Sequence, residues 1–344
     1  MSDLISSTLT GALFGAALTV SGVYLPNTII SQMKLQDFHM LKVFLTASSA
    51  SALVISLYER LIKRPLSRRP PSSIGWFGSY DGNIIGGAMV GAGMVLTGAC
   101  PGTVLVQVGT GISSGRYAML GGLLGGILYA QMAGLLGRAP GAPCTPTPAP
   151  SKIDHSLPAK LGVSPASAAL AFQTMCVCLI LATKTLAPSL TRSTVDPVVG
   201  GLLIGAAQLA SLIMTRAPVG VSTSYEDIGR WTWSCLNGGG SVEPVADTRP
   251  ALLPLTKSVC FSGGILASSY ALSRMLPELA TVDALPVSPL QGVLGGLVMV
   301  FGARLAGGCT SGHGISGMSM LGTSSIISVA SMFGGGIALA LLRS

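Results

Sequence analysis

Two cysteines occupy matching positions in two similar stretches of the sequence. Residues 93–100 read GMVLTGAC and residues 302–309 read GARLAGGC, so Gly, Leu, Gly and Cys recur at the same offsets. A thiol is a weak hydrogen-bond donor with a soft, polarizable sulfur, which suits it to contact sulfur or selenium atoms. Cys100 and Cys309 are therefore predicted to bind a sulfur-containing ligand. The alternatives are a disulfide between them, which would remove both donors, and two unrelated packing residues.

Glycines and neutral hydrogen-bond donors surround both cysteines. Glycine lets the backbone approach a ligand closely, and backbone N–H and hydroxyl groups can bind an anion without a fixed positive charge. The sequence therefore adds these residues to the candidate substrate-binding site: Gly98, Gly102, Thr103, Gly307, Gly308, Thr310 and Ser311. The other five cysteines show no framework spacing and are interpreted as packing residues or loop thiols: Cys144, Cys176, Cys178, Cys235 and Cys260.

His313 and Arg304 flank the second cysteine. His313 follows Cys309 by four residues, which could suggest a metal ligand. The chain has only three histidines, shows no acidic cluster beside them and lacks zinc-ligand spacings, so the sequence predicts no metal site and no cofactor. Arg304 lies five residues before Cys309, where it either attracts an anion or stabilises the helix bundle. Both residues belong to the candidate site.

The composition places these residues in a membrane. Of 344 residues, 9% are charged, against roughly 25% in an ordinary soluble domain. The mean hydropathy is +0.66. Most soluble enzymes, disordered proteins and disulfide scaffolds are excluded, and an integral protein of a cell membrane is predicted. The net charge of +8 does not indicate nucleic-acid binding, because the basic residues are concentrated in loops: Arg60, Lys63, Arg64, Arg68 and Arg69.

Nine segments are long and apolar enough to predict an all-α, polytopic bundle of transmembrane helices. A membrane-spanning helix needs about 20 mostly apolar residues. Many of the segments are rich in Gly, Ala and Ser, which allow helix backbones to approach closely in a membrane. The predicted spans are 4–25, 38–58, 82–99, 117–137, 166–186, 197–215, 254–272, 289–306 and 322–342.

The spans divide into two similar halves. A proline-rich linker at 138–165 follows the first repeat, 1–137, and a connecting span at 166–196 precedes the second repeat, 197–344. A single connecting span makes the repeats insert upside down relative to each other, which is a transporter pattern. The alternative is a structural duplication without a transport role. Four apolar segments, 25–38, 100–115, 218–231 and 309–321, are predicted to form irregular turns that re-enter the membrane.

Residues 302–317, GARLAGGCTSGHGISG, resemble the signature of the YeeE/YedE family of sulfur-compound transporters, and 91–111 resembles its other cysteine turn. The resemblance covers nearly the whole chain. It implies thiosulfate uptake through an hourglass-shaped bundle whose re-entrant loops meet at the waist, where Cys100 and Cys309 hydrogen-bond the passing ion in succession. A third family cysteine belongs in the first proline turn. This chain has no cysteine there, and Tyr24 or Asn27 could supply a substitute hydrogen bond.

The sequence thus predicts a non-enzymatic membrane transporter for thiosulfate or a related small sulfur-containing anion. The expected partners are that anion, the lipid bilayer and a cytoplasmic sulfur-accepting protein, with no nucleic acid. Two alternatives stay open. One is a membrane-embedded sulfurtransferase or redox enzyme that uses the paired thiols, for which a reactive cysteine needs a base or a cationic neighbour. The other is a passive channel for a different small solute.

Overall fold

The chain is helical wherever its structure is described. In a computed structural model, the described residues are 2–63, 66–136, 155–187, 195–236, 254–280 and 287–343, and they contain no strand longer than one isolated bridge. The helices are α1 Ser2–Val20, α2 Pro26–Met33, α3 His39–Ile62, α4 Asp81–Thr97, α5 Pro101–Thr110, α6 Ser113–Met132, α7 Leu157–Leu161, α8 Pro165–Leu186, α9 Pro197–Thr215, α10 Ser222–Leu236, α11 Lys257–Met275, a 3₁₀ turn Pro277–Ala280, α12 Pro289–Ala306, a π-helix Thr310–Gly317 and α13 Thr323–Leu342.

The predicted all-α membrane architecture is confirmed. Within the described residues, seven helical segments are long and apolar enough to cross a membrane: Ser2–Val20, His39–Ile62, Asp81–Thr110, Pro165–Leu186, Pro197–Thr215, Pro289–Ala306 and Thr323–Leu342. The remaining two predicted spans form α6 and α11, helices of 20 and 19 residues. Both are rich in Gly, Ser or Ala, which are less apolar than the Leu, Ile and Val of the other spans. A total of nine spans stays a prediction.

Helices α4 and α12 cross at the centre of the bundle, and glycines allow their backbones to meet. A Cβ atom added at Gly93 would stand 2.6 Å from the carbonyl oxygen of Gly295 and 2.8 Å from the Cα atom of Met299. No larger residue fits at this crossing without moving a backbone. Small residues at helix contacts are the expected solution in lipid, where no hydrophobic effect drives one helix against another.

The two halves show the same order of elements, and helices at equivalent positions make equivalent contacts with the other half. Within the described residues, each half contains six helices in the order long, short, long, long, short, long. The first half consists of α1–α6, and the second consists of α9–α12, the π-helix and α13. Helix α1 contacts α11 while α9 contacts α3, and α4 contacts α13 while α12 contacts α6. This reciprocity agrees with the duplication expected from the sequence. The inversion of one half relative to the other stays a prediction.

The four segments predicted as irregular turns are largely helical instead. Helices α2, α5 and α10 and the π-helix occupy them. Proline at the first helical position explains two of these helices, because Pro26 and Pro101 have a backbone angle already suited to a helix and need no hydrogen-bond acceptor. The first four N–H groups and the last four C=O groups of each α-helix have no partner within that helix, so the starts of these short helices offer N–H groups to other partners.

Part of the predicted linker is also structured. Ser156 forms an antiparallel bridge with Gly322, and the N–H of Leu157 donates to the carbonyl of Leu321 at 2.8 Å. The segment that starts at His155 is therefore attached to the end of the π-helix turn. Residues 138–154 of the predicted linker, including Cys144, lie outside the described residues.

Candidate functional site

Cys100 lies at the break between α4 and α5. Helix α4 ends at Gly98, whose φ of 64° is left-handed, and Cys100 then caps the start of α5. The thiol sulfur accepts from the backbone N–H of Thr103 at 3.4 Å, and the Thr103 hydroxyl lies 3.4 Å from the same sulfur. The Cys100 N–H donates to that hydroxyl at 2.7 Å. This reciprocal cap holds the thiol at the positive end of α5.

Cys309 occupies the matching break in the second half. Helix α12 ends at Gly307, whose φ is 85°, and Cys309 caps the π-helix that follows. Its sulfur lies 3.2 Å from the hydroxyl of Ser311. The backbone amides of Gly312 and Val221 and the hydroxyl of Ser222 also face the thiol. Cys309 is 1% exposed and is a free cysteine, as is Cys100, so neither is part of a disulfide.

The starts of four short helices meet around the two thiols. Pro26, the first residue of α2, would be 2.7 Å from a Cβ atom added at Gly98. A Cβ atom at Gly102, in the first turn of α5, would lie 3.5 Å from Val221, the residue just before α10. The N-terminus of a helix carries about half a positive charge, so these four ends create a region suited to an anion.

Tyr225 links the two cysteine breaks. It is buried, and its hydroxyl donates to the carbonyl of Pro101 at 2.9 Å. It lies close enough to both Cys100 and Cys309 to interact electrostatically with each thiol. The two thiols are near enough for a charge on one to affect the other. The structure therefore brings the two predicted cysteines together.

A small internal cavity of about 40 Å³ lies beside them. About 10–15 Å³ of such space is enough for one water molecule, so the cavity could hold a few waters or a small ion. Five of the predicted site residues line it: Cys100, Gly102, Thr103, Thr310 and Ser311. The rest of the wall is apolar: Phe14, Leu18, Val23, Ile29, Met40, Val43, Phe44, Ala47, Ile204 and Ile315. An ion entering it must therefore lose most of its water.

Arg304 belongs to a buried ionic network behind Cys309. Its guanidinium, 1% exposed, forms an ion pair with Glu226 and donates to the hydroxyl of Ser222 at 3.3 Å. Glu226 also pairs with Arg230, whose Nε donates at 3.0 Å. Two arginines and one carboxylate leave a net charge of +1. Of the two roles predicted for Arg304, these contacts directly support stabilisation of the bundle. The hydroxyl of Ser222 lies between this net positive charge and the Cys309 thiol, so the other role, attraction of an anion, is compatible with the geometry.

His313 connects the π-helix to its neighbours. Its Nδ1 atom lies 2.9 Å from the hydroxyl of Ser325, and its Nε2 atom lies 3.1 Å from the carbonyl oxygen of Ala306. Gly308, also a predicted site residue, contacts the imidazole edge: an added Cβ atom would stand 2.9 Å from its Cδ2. Both ring nitrogens are thus engaged with groups that fix the break between α12 and the π-helix.

The first proline turn contributes little polar chemistry to the cavity. Tyr24 is buried, and its backbone carbonyl accepts from the side chain of Gln107 at 2.8 Å, which also donates to the carbonyl of Gly98 at 2.8 Å. Asn27 is exposed, and its side chain accepts from Ser31 at 3.1 Å. The structure does not bring Asn27 to the thiols. From this turn, Val23 reaches the cavity wall, and Val23 is apolar.

Arg69 is a residue near the site that sequence reasoning missed. Its guanidinium donates to the carbonyl of Gly307 and lies against Gly308 and Gly312, on either side of Cys309 in sequence. The sequence interpretation treated Arg69 as one member of a basic loop that sets membrane topology. Its place after Arg68 and before two prolines was the available signal, and nothing in that pattern points to the cysteine more than two hundred residues later.

The fold and this site define an integral membrane protein of the transporter class, in which broken helices meet inside a polytopic bundle. A sequence model described as sulphur transport matches residues 20–338, and the chain belongs to that family. Thiosulfate transporter TsuA of Spirochaeta thermophila is 26% identical over 334 residues, which cover 92% of each chain. A probable transporter of Xylella fastidiosa is 29% identical over 145 residues, which cover 42% of this chain and 90% of that protein.

Proposed function

We propose that the protein carries thiosulfate, or a closely related small sulfur-containing anion, into the cell. The observation that carries this proposal is the meeting of two free thiols, Cys100 and Cys309, with the starts of short helices beside a small cavity. Sulfur is the feature that separates this ligand from sulfate or phosphate, and a soft thiol is the side chain suited to contact it. The thiosulfate transporter among the similar proteins supports the same substrate class.

The proposed path uses weak, neutral contacts one after another. The anion enters the cavity, where hydroxyls of Thr103 and Ser311 and the helix starts replace part of its water. It then passes from the Cys100 thiol to the Cys309 thiol. A thiol donates a weak hydrogen bond, so each contact is favourable enough to admit the ion and weak enough to release it, which conduction requires. The net charge of the Arg304 network offsets part of the cost of losing water.

The proposed organisation is two inverted repeats, 1–137 and 197–344, joined by the linker 138–165 and the span 166–196, with nine membrane spans in all. The reciprocal helix contacts support the repeats. In this arrangement α5 and the π-helix enter the bundle from opposite faces of the membrane as re-entrant segments. Their capped starts would then meet near the midplane, where inverted-repeat transporters hold their substrates.

A sulfurtransferase or redox enzyme finds less support in the geometry. A nucleophilic thiolate is activated by a neighbouring base or cation. Arg69 and Arg304 both lie near the Cys309 break, so what an enzyme would lack here is the base. His313, the nearest histidine in sequence, directs its ring nitrogens to Ser325 and Ala306 and not to the Cys309 sulfur. An enzyme of this kind would leave a persulfide on Cys100 or Cys309 during turnover, which mass spectrometry of the protein after incubation with thiosulfate would detect. A persulfide formed at the rate of uptake would overturn the transport-only mechanism.

The direct test is uptake of radiolabelled thiosulfate into liposomes that contain only this protein, with sulfate and selenite as competitors. We expect Cys100→Ala and Cys309→Ala each to reduce uptake at least tenfold without loss of the folded protein. Cys176→Ala is the matched control, because Cys176 is as buried as Cys309 but lies on α8, in a cluster with residues of α3 and away from the cavity. Uptake at the wild-type rate in both site variants would refute the proposal.

A further inference from the structure

Arg69 lies against the Cys309 break and is not among the residues that line the cavity. A Cβ atom added at Gly308 would stand 2.8 Å from its Nη1 atom, and one added at Gly312 would stand 2.9 Å from its Nη2 atom. Gly220, next to the Val221 amide that faces the Cys309 thiol, approaches the same guanidinium at 3.6 Å from an added Cβ. Three glycines thus leave a recess that the guanidinium occupies.

The loop that carries Arg69 is fixed over the π-helix. The carbonyl of Arg69 accepts from the hydroxyl of Ser324 at 2.8 Å, and the Nε of Arg68 donates to the carbonyl of Met320 at 3.0 Å. Three residues on, the N–H of Ser72 donates to the side chain of Asn83 at 2.8 Å. The position of the guanidinium is therefore set by the backbone around it and is not that of a solvated surface side chain.

The chemistry of the Arg69 guanidinium suits a small divalent anion. A guanidinium keeps its charge at any physiological pH and presents several N–H donors in one plane, which match oxyanion geometry better than a point charge does. Arg69 is half-buried, whereas Cys309 itself is buried. An ion leaving or approaching Cys309 on the Arg69 side would meet the guanidinium next.

We propose that Arg69 forms a second binding position for the transported anion, next to Cys309 and outside the cavity. This inference rests on the proposed transport of a sulfur-containing oxyanion. Oxygen atoms of the anion contact the Arg69 guanidinium while its sulfur faces the Cys309 thiol. The path then has an apolar cavity with neutral donors and, next to Cys309, a fixed positive charge outside that cavity.

The competing explanation is that Arg69 only stabilises the end of α12 through its hydrogen bond to Gly307. Glutamine separates the two explanations, because its amide can still donate to that carbonyl but carries no charge. Arg69→Lys tests whether the charge alone is sufficient, since lysine keeps the positive charge but lacks the planar N–H donors of the guanidinium. Arg60→Gln removes a charge from an exposed residue near the end of α3, in the same basic stretch, and is the matched control.

The experiment is thiosulfate uptake into proteoliposomes with KM and kcat measured separately, at low and at high ionic strength. We expect Arg69→Gln to raise KM at least tenfold at low ionic strength, Arg69→Lys to stay within about threefold of wild type, and Arg60→Gln to stay within twofold. High salt should raise the KM of the wild type but not that of Arg69→Gln, because exposed charges are screened by salt.

Two results would overturn the inference while the transport function stands. One is a wild-type KM in Arg69→Gln. The other is a loss of kcat at unchanged KM in both Arg69 variants, which a purely structural role would produce. If the wild-type protein itself takes up no thiosulfate under conditions where it is folded, the proposed function fails, and this inference fails with it.

Discussion

The buried network of Arg304, Glu226 and Arg230 allows a quantitative prediction about folding. Arg304 is 1% exposed and pairs with Glu226, which also accepts from Arg230. The side chain of Arg230 is 26% exposed and can turn toward solvent if its partner is lost, whereas Arg304 cannot. The two arginines of the network are therefore not equivalent, and single substitutions at Glu226 and Arg304 should lower the free energy of unfolding by different amounts.

The magnitudes follow from which charge is left without a partner. Glu226→Gln leaves the Arg304 guanidinium buried without its carboxylate, and removing one partner of a buried pair costs about 3–5 kcal/mol. Arg304→Met leaves Glu226 paired with Arg230, so the main loss is the charge-assisted hydrogen bond to Glu226, about 1.5–3 kcal/mol, beside the weaker one to Ser222. The double variant has no unpaired buried charge. The loss of unfolding free energy in the double variant should be smaller than the sum of the losses in the two single variants by about 0.5–3 kcal/mol, the usual coupling energy for residues in contact.

The assay is unfolding in mixed micelles, followed by tryptophan fluorescence. Trp231 and Trp233 lie in α10 with Glu226, and the indole N–H of Trp233 donates to the carbonyl of Ile127 in α6 at 2.9 Å, so its emission should report separation of α10 from α6. A loss of unfolding free energy in Arg304→Met that equals or exceeds the loss in Glu226→Gln would refute the reasoning. So would strict additivity in the double variant.

Two further predictions concern the helix contacts that position the site. Tyr225→Phe removes one of the two donors to the carbonyl of Pro101, because the helix itself supplies the other. The loss of this hydrogen bond should cost about 0.5–1.5 kcal/mol and lower thiosulfate uptake; unchanged thermal stability and uptake would contradict this. Gly93→Ala should destabilise the protein by about 1–3 kcal/mol, because its Cβ would meet the carbonyl of Gly295, whereas Gly263→Ala meets open space and should be neutral or stabilising in the same thermal assay. Equal effects of the two glycine substitutions would contradict the close crossing.

The sequence predicted the cysteine breaks well because their signals are local. Gly98 and Gly307 adopt left-handed backbone angles that end α4 and α12, and each cysteine then follows by two residues. The span boundaries were also predictable, since the apolar runs at 197–215 and 289–306 coincide with α9 and α12. In both cases, neighbouring residues alone determine the structure.

The rest of the site depends on contacts between distant parts of the chain. The pairing of Arg304 with Glu226 and the approach of Arg69 to Gly308 result from how separate helices and loops cross, which single-sequence patterns do not encode. Asn27 was proposed as a substitute for the third family cysteine in the first proline turn, but the direction of its side chain depends on the rotation of α2 against α4. The short helices were missed because eight to fifteen residues are too few for a clear helical period.

The cavity takes its walls from both parts of the polypeptide: Cys100 and Thr103 come from the first part, and Thr310 and Ser311 come from the second. A chain with either part alone would hold only one of the two site cysteines, beside an incomplete cavity. Such a half-length protein would need a second subunit to enclose the same space. Fusion of the two parts into one polypeptide removes that dependence on subunit concentration and allows each wall to acquire residues of its own.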